Sequence, residues 1–172
     1  MPIAILGPTA SGKSAVAVAV ARRLGGTVVN GDPFQAIQGL AIGTGQPDES
    51  ERGGVPHLGY GKLPLSSRPN PKAFGALVRG WLSEAPEPVL VTGSGLYLRG
   101  VWNQLSDLPE VEPALVERVR SWGLRLGVPR LHRYLAAVDP TRAAALHPRD
   151  AARVQRALPL HLATGGAPSG LL

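Results

Sequence analysis

The sequence has no cysteine and no long apolar segment. The absence of cysteine excludes a disulfide scaffold, a zinc site with thiolate ligands and a catalytic thiol. No apolar run is long enough to cross a bilayer. The first run ends before Gly7 and is followed by Lys13, so we do not expect a signal peptide. These absences predict a soluble, cytoplasmic protein that makes no membrane contact.

Lysine is also scarce, since it occurs only at positions 13, 62 and 72. The net charge of +6 therefore comes mainly from arginine, and much of it lies in one stretch. Between Arg118 and Arg156 there are nine arginines and only two acidic residues, Asp139 and Asp150. Two interpretations stay open: a solvated face of helices, or a surface that binds nucleic acid.

Glycine and proline are abundant, with 22 and 17 copies in 172 residues. This composition favours many short elements joined by tight turns, and the apolar fraction of 44% is too high for a disordered chain. The length predicts a single domain over residues 1–172.

Apolar patterning predicts strands alternating with helices in the first part of the chain and helices alone in the second. The first part contains predicted buried strands at 2–7, 27–32 and 88–93, predicted helices at 13–24 and 72–83, and a loop-rich region at 33–71 with at most a weak strand near 55–60. The helix at 13–24 is apolar nearly all round, which is typical of an enclosed helix. An Arg-rich helical portion follows over 113–163, with breaks at Gly127–Pro129, Asp139–Pro140 and His147–Pro148. The pattern predicts an α/β fold with a helical extension.

Residues 7–14, Gly-Pro-Thr-Ala-Ser-Gly-Lys-Ser, match the phosphate-loop pattern G-x-x-x-x-G-K-[ST] between a predicted strand and a predicted helix. Backbone N–H groups of such a loop converge on phosphate oxygens, helped by the N-terminus of the following helix. Lys13 is predicted to contact the terminal phosphates, and the Ser14 hydroxyl to bind Mg²⁺. The ligand is therefore a polyphosphate or pyrophosphate, and the predicted phosphate-binding residues are Gly7, Thr9, Ala10, Ser11, Gly12, Lys13 and Ser14. Kinases, NTPases and prenyltransferases all use such a loop.

Three further segments have distinctive patterns. Residues 30–47 are NGDPFQAIQGLAIGTGQP, residues 91–98 are VTGSGLYL, and residues 139–158 run from Asp-Pro through HPRDAARVQRAL. Together with the phosphate loop they resemble motifs of the tRNA dimethylallyltransferase family, which are S-x-D-S-x-Q-x-Y-x-G-x-D-I-G-T-x-K-P, V-G-G-T-G-L-Y-L and D-P…H-P-N-D-x-x-R-x-x-R-A-L. The four motifs occur in family order over nearly the whole chain, so the resemblance is specific. It implies a P-loop NTPase-like parallel sheet with flanking helices and a helical C-terminal extension. It also implies an enzyme that transfers the dimethylallyl group of dimethylallyl diphosphate to N6 of adenine-37 beside the tRNA anticodon, with Mg²⁺, and releases diphosphate.

The resemblance also implies roles for particular residues. Asp32, at the carboxyl end of a predicted strand, is implied as the base that accepts a proton from the adenine amine, which is a weak nucleophile. Ser94 stands where the family has a threonine that reaches the reacting centre, and it keeps a hydroxyl. The alternatives stay open: Asp32 caps the following turn or holds magnesium through water, and Ser94 is purely structural. The residues implied to contact tRNA are Asp32, Pro33, Phe34, Gln35, Arg153 and Arg156.

Arg149, Arg153 and Arg156 are spaced i, i+4 and i+7, which predicts that they share one face of a helix over 149–162. The family uses the last two positions against tRNA, so only Arg153 and Arg156 carry over.

The chain departs from the family pattern in several motif positions and in length. Several motif positions are changed, among them Pro33 for Ser, Ile37 for Tyr, Gln38 for a basic residue, Ala41 for Asp, Gln46 for Lys and Arg149 for Asn. Family members continue with another core strand, which the usual sheet order places beside the first strand. We therefore expect an exposed apolar sheet edge here, which favours association or marginal stability. Prenyl transfer is the first hypothesis, a truncated inactive remnant that binds phosphate or tRNA the second, and a small-molecule kinase the third.

Overall fold

The structure is a computed structural model that describes residues 2–171, and it divides into two units between Leu105 and Ser106. Each unit is described by itself. The single domain expected over residues 1–172 stays a prediction.

The first unit alternates strands with helices, as the sequence predicts. Its elements are β1 (Ile3–Leu6), α1 (Lys13–Leu24), β2 (Thr27–Asn30), α2 (Ala41–Thr44), α3 (Glu49–Arg52), β3 (His57–Leu58), α4 (Pro71–Glu84), β4 (Pro88–Thr92) and α5 (Gly95–Val101). The strands pair in parallel in the order β1-β4-β2-β3. The predicted α/β fold is confirmed, and each predicted strand and helix of this part lies within two residues of its expected bounds.

The central strands β2 and β4 are buried because helices cover both faces of the sheet. Val28 of β2 belongs to the same apolar cluster as Ala17 of α1, whereas the next residue, Val29, clusters with Phe74 of α4. Successive strand residues point to opposite faces, so one short apolar strand supplies both layers of the core. This explains why apolar residues are consecutive, and do not alternate with polar ones, at Val28 and Val29 of β2 and over 89–91 of β4.

Two predictions about burial are wrong. β1 is exposed, with Leu6 50% accessible, because within residues 2–171 it pairs only with β4. Helix α1 is not enclosed: Ala17, Val18 and Ala21 are buried, but Val16 is 52% exposed. Only one side of this helix therefore packs on the sheet. The exposed apolar edge expected beside the first strand is present at β1.

The second unit is helical, as predicted. It contains α6 (Pro113–Leu126), α7 (Val128–Val138), α8 (Pro140–Ala144), α9 (Ala151–Thr164) and a 3₁₀ turn (Pro168–Gly170). The helices are interrupted at the three predicted breaks, and Val119, Leu135 and Leu158 are among the buried residues of a separate apolar core. Among the described residues, no helix of either unit combines the length and apolar character needed to cross a membrane.

The helix predicted over 149–162 begins two residues late. The Asp150 side chain accepts the Arg153 backbone N–H at 3.1 Å and caps α9, so the helix starts at Ala151. Arg149 lies before the helix, and the prediction that it shares a helical face with Arg153 and Arg156 is wrong.

Helices α4 and α5 approach closely where Gly75 lies against the backbone of Gly100. A Cβ on Gly75 would collide with the Gly100 carbonyl group. We expect Gly75→Ala to lower the free energy of unfolding by about 2 kcal/mol, because backbone atoms cannot move aside as a flexible side chain can. Gly80→Ala is the matched control on the same helix, since nothing lies within 4 Å of a Cβ there. This control should raise stability by about 0.5 kcal/mol. Denaturant unfolding of both variants tests the prediction, and equal effects would contradict it.

Candidate active site

The carboxyl ends of three strands lie at one edge of the sheet because the strands are parallel. The phosphate loop (residues 7–14) follows β1, Asp32 follows β2, and Ser94 follows β4. β4 pairs with both β1 and β2, so Ser94 follows the strand that separates the loop from Asp32. Ligands of open parallel sheets bind outside this edge. We call these three segments the candidate active site.

The phosphate loop curls over its own backbone before it enters α1. Gly12 has a φ of 79° and Ala10 a φ of 62°, a conformation that is uncommon for a residue with a Cβ. The Ser11 N–H donates to the Pro8 carbonyl at 3.3 Å, and Nζ of Lys13 donates to the same oxygen at 3.1 Å. In the part of the chain that the structure describes, no side chain caps the first turn of α1. The N–H groups of that turn and the lysine ammonium are therefore available to an anion.

The end of β4 lies against this loop. A Cβ built on Gly93 would be 3.8 Å from Nζ of Lys13 and 3.7 Å from the carbonyl oxygen of Gly7. A Cβ on Gly7 would lie 2.6 Å from Oγ of Ser11, so a larger residue would displace that side chain. The segment before Ser94 therefore lies in van der Waals range of the loop and of its lysine, and Gly7 leaves room for the Ser11 side chain.

Ser14 lies in the first turn of α1 and is exposed, as is Thr9 in the loop. No group of three or more His, Cys, Asp or Glu side chains in residues 2–171 is arranged to hold a metal ion. Mg²⁺ often binds through substrate phosphates and water with only one or two protein oxygen ligands. The Ser14 hydroxyl suits an ion held in this way, so the residues present fit magnesium that arrives with a phosphate ligand.

Asp32 begins a tight turn that the buried Asn30 holds. The Asp32 N–H donates to Oδ1 of Asn30 at 2.8 Å, and Nδ2 of Asn30 donates to the carbonyl oxygens of Asp32 and Gly59 at 2.9 and 3.0 Å. Oδ1 of Asp32 accepts the Phe34 N–H at 2.9 Å, so the carboxylate caps the following turn. A carboxylate has about four acceptor sites, so capping and proton acceptance are compatible.

Ser94 occupies the N-cap position of α5, but its side chain makes no capping hydrogen bond. Its backbone N–H donates to Oγ1 of Thr92 at 3.2 Å, and the Thr92 hydroxyl donates to the Gly31 carbonyl at 2.8 Å. Thr92 therefore connects the segment that bears Ser94 with the segment that bears Asp32.

Tyr60 is a neutral neighbour of this region. Burial raises the pKa of Tyr60 above its usual range, and although Arg52 lowers this pKa, the Asp32 carboxylate raises it further. The phenol therefore stays protonated near Asp32. The sequence motifs assign no role to Tyr60, Asn30 or Thr92. For Asn30 and Thr92 the usable signal was a polar residue that ends a strand directly after consecutive valine or leucine residues.

The residues after Asp32 have different surroundings. Pro33 is buried, Phe34 is exposed, and Nε2 of Gln35 donates to the carbonyl oxygens of Thr44 and Gly45 at 3.1 and 2.8 Å. A largely apolar cleft of about 500 Å³ opens beside them. Its lining residues are Pro33, Phe34, Ile37, Leu40, Leu65, Ser67, Arg68, Pro69 and Tyr97.

Arg153 and Arg156 lie on α9 in the second unit, and both are exposed. Nη1 of Arg153 pairs with Oδ2 of Asp150 at 2.6 Å, and this hydrogen bond holds the pKa of Asp150 below its usual value. Exposed ion pairs contribute little net free energy, so a phosphate can replace the carboxylate as the partner of Arg153. Arg156 borders a groove of about 520 Å³ within the same unit, formed with α6 and the segment before it.

Together, the parallel sheet, the glycine-rich loop after β1 and the carboxylate at the same sheet edge define an α/β protein with a P-loop-like fold. A family model described as IPP transferase matches residues 35–171, and one described as isopentenyl transferase matches residues 2–58. The chain belongs to the IPP transferase family.

Individual relatives agree with this assignment. The tRNA dimethylallyltransferase of Rhizobium leguminosarum bv. trifolii is 44% identical over 167 residues, which are 95% of this chain and 56% of the relative. That of Anaeromyxobacter dehalogenans is 39% identical over 168 residues, covering 95% and 54%. The chain spans about half the length of the curated relatives it matches.

Solved structures give the same picture of the fold. The full-length tRNA isopentenylpyrophosphate transferase from Bacillus halodurans is similar to 96% of this chain and 56% of that one, with 36% identity and a TM-score of 0.58. A eukaryotic dimethylallyltransferase acting on tRNA is similar over 98% and 43%, with 25% identity and a TM-score of 0.74. The expected P-loop-like fold is confirmed.

The loop geometry predicts that Lys13 carries much of the affinity for phosphate. We expect Lys13→Met to weaken pyrophosphate binding by at least about tenfold, because a charge-assisted hydrogen bond is lost. Arg23→Met removes a cation from the last turn of the same helix and should leave the affinity unchanged. Calorimetric titration of both variants with pyrophosphate makes the comparison. Equal losses would mean that net charge, and not the loop, governs binding.

Proposed function

We propose that the chain transfers a dimethylallyl group from dimethylallyl diphosphate to N6 of adenine-37 in tRNA and releases diphosphate. The observation that carries the proposal is the position of β4, which sets Ser94 between the phosphate loop and Asp32. The match to tRNA dimethylallyltransferases over 95% of the chain supports the choice of substrates.

The reaction forms a bond between N6 of adenine and C1 of the dimethylallyl group while the bond from C1 to the diphosphate oxygen breaks. Asp32 accepts the proton that N6 releases, and its backbone is already held by Asn30. The apolar cleft that begins at Pro33 and Phe34 offers contact to a prenyl chain or to the face of a base. An adenine must leave its stack to reach such a site.

Negative charge grows on the departing diphosphate. The N–H groups of the loop and the Lys13 ammonium stabilise that charge, and the Ser94 hydroxyl can donate to the bridging oxygen or to Asp32. Where Mg²⁺ is present, the Ser14 hydroxyl would hold it, and the ion would supply further charge neutralisation. In this proposal the loop binds a leaving group, as distinct from the ATP of a kinase.

The tRNA is held by phosphate contacts from Arg153 and Arg156, with Pro33, Phe34 and Gln35 beside the reacting base. Phosphate contacts fix the register of a bound nucleic acid and leave the selection of the base to other groups. A cytoplasmic location, where tRNA is modified, belongs to the same proposal.

The test of the base is Asp32→Asn, because asparagine can still accept the Phe34 N–H but cannot take up the proton. With labelled dimethylallyl diphosphate, Mg²⁺ and unmodified tRNA, we expect the unmutated chain to label tRNA. The variant should be slower by at least about 100-fold. Pyrophosphate affinity and thermal stability of the variant should stay unchanged, which separates loss of a base from loss of a turn.

Other outcomes select other functions. Folded protein that binds pyrophosphate and tRNA without labelling the RNA would be an inactive remnant. Phosphate transfer from ATP to a small hydroxyl compound would indicate a kinase. An Asp32→Asn variant that is as active as the unmutated chain would restrict Asp32 to capping the turn.

The second unit offers a matched pair of arginines for testing tRNA contact. Arg153 and Arg120 are both 67% exposed in their side chains, and both pair with a carboxylate three residues earlier. We expect Arg153→Gln to weaken tRNA binding and to reduce the slope of log affinity against log salt by about 1, as loss of one phosphate contact does. Arg120→Gln should leave both quantities unchanged. Filter binding across a salt series measures the affinity and the slope. Equal slopes for the two variants would mean that Arg153 makes no specific contact with a tRNA phosphate.

A further inference from the structure

Thr92 is a polar residue in the most buried part of the sheet. It ends the strand Pro88–Thr92, is 1% exposed, and follows three buried apolar residues. Burial of a hydroxyl is unfavourable unless its hydrogen bonds are satisfied. The Thr92 hydroxyl satisfies this condition by using Oγ1 as both donor and acceptor, toward the carbonyl of Gly31 and the N–H of Ser94.

Asn30 meets the same condition on the neighbouring strand. It is fully buried at the end of β2, and its amide makes three hydrogen bonds, two of them to the backbone of Asp32. The third bond, to the Gly59 carbonyl, anchors the turn to the segment after β3. The backbone on both sides of the Asp32 side chain is therefore held by one rigid amide.

Gly31 allows β2 and β4 to come this close beyond their last paired residues. A Cβ at this position would lie 2.9 Å from Cβ of Thr92 and 3.1 Å from the Val91 carbonyl oxygen. The Gly31 N–H donates to that carbonyl at 2.8 Å, and the Gly31 carbonyl accepts from Thr92. Both backbone groups of Gly31 are thus bonded to β4.

We propose that Thr92 and Asn30 are positioning residues, which hold Asp32 and Ser94 at a fixed separation across the reacting centre. This inference rests on the proposed function, because it assigns the two residues to the same transfer reaction. Thr92 contacts the segments of both side chains through one oxygen atom, and Asn30 fixes the backbone of one of them. Loss of the Thr92 hydroxyl would remove this side-chain link and leave the bond from the Gly31 N–H to the Val91 carbonyl, without removing either reacting group.

The decisive variants are Thr92→Val, which has the same shape without a hydroxyl, and Thr92→Ser, which keeps the hydroxyl. Small displacements of a catalytic group are costly, so we expect Thr92→Val to lower kcat by between about tenfold and about 100-fold. KM for dimethylallyl diphosphate should stay unchanged, because the phosphate loop is not altered. Thr92→Ser should restore most of kcat. An unchanged kcat in Thr92→Val, or a loss that appears only in KM, would overturn the inference.

Thr164 provides the matched control in the second unit. Its hydroxyl also donates to a carbonyl, that of Leu160 at 2.8 Å, and accepts a backbone N–H, that of Gly166 at 3.2 Å. Thr164→Val removes the same pair of hydrogen bonds at the end of α9 and should leave kcat unchanged. A loss of kcat equal to that of Thr92→Val would show a general effect of lost stability and would overturn the inference.

Amide hydrogen exchange separates this inference from the proposed function. In the Thr92→Val variant of residues 1–172 the Ser94 N–H loses its acceptor, so its exchange should be at least about tenfold faster while that of Gly166 is unchanged. Thr164→Val should show the reverse. If the unmutated chain transfers no label, the proposed function fails, but faster exchange at Ser94 still supports the link through Thr92. Unchanged exchange at Ser94 would overturn that link whether or not label is transferred.

Discussion

Parallel pairing of β4 with both β1 and β2 is the constraint on which the candidate active site depends. The register sets Leu6 opposite Thr92 and Asn30 opposite Val91, so the three strands end nearly level with one another. Three loops of unrelated sequence therefore leave the sheet along one line. A slip of one residue would turn every side chain of a strand to the other face and disrupt both apolar layers. Packing of the core thus protects the geometry of the site.

The elements of the fold could be predicted from local signals because those signals agree with one another. Gly12 and Gly25 begin and end α1, and Asn70 with Pro71 begins α4. Burial was less predictable, because a central strand and an edge strand can have the same apolar composition. β1 and β4 are both short and apolar, yet within residues 2–171 β4 has a neighbour on each side and β1 has one. Strand order depends on the whole sheet, so the sequence of one strand does not reveal whether that strand is central or at an edge.

The site could be predicted where chemistry depends on spacing along the chain, as in the phosphate loop. The position of Asp32 after β2 could be predicted in the same way. The connections between segments could not, because Thr92 and Gly31 are distant in sequence and meet only through strand pairing. The helix cap at Asp150 was missed for a local reason. The helical spacing of Arg149, Arg153 and Arg156 suggested that the helix starts at Arg149. The side chain of Asp150 instead caps the helix, which starts at Ala151.

The exposure of β1 links ligand binding to local unfolding. The strand that carries the phosphate loop has one neighbour within the described residues and half-exposed apolar side chains, so its opening costs less free energy than that of β2 or β4. An anion that binds only while β1 is paired with β4 shifts this local equilibrium by mass action. A bound anion would thereby act as a structural component of the sheet and would lower the fraction of molecules in which β1 is open.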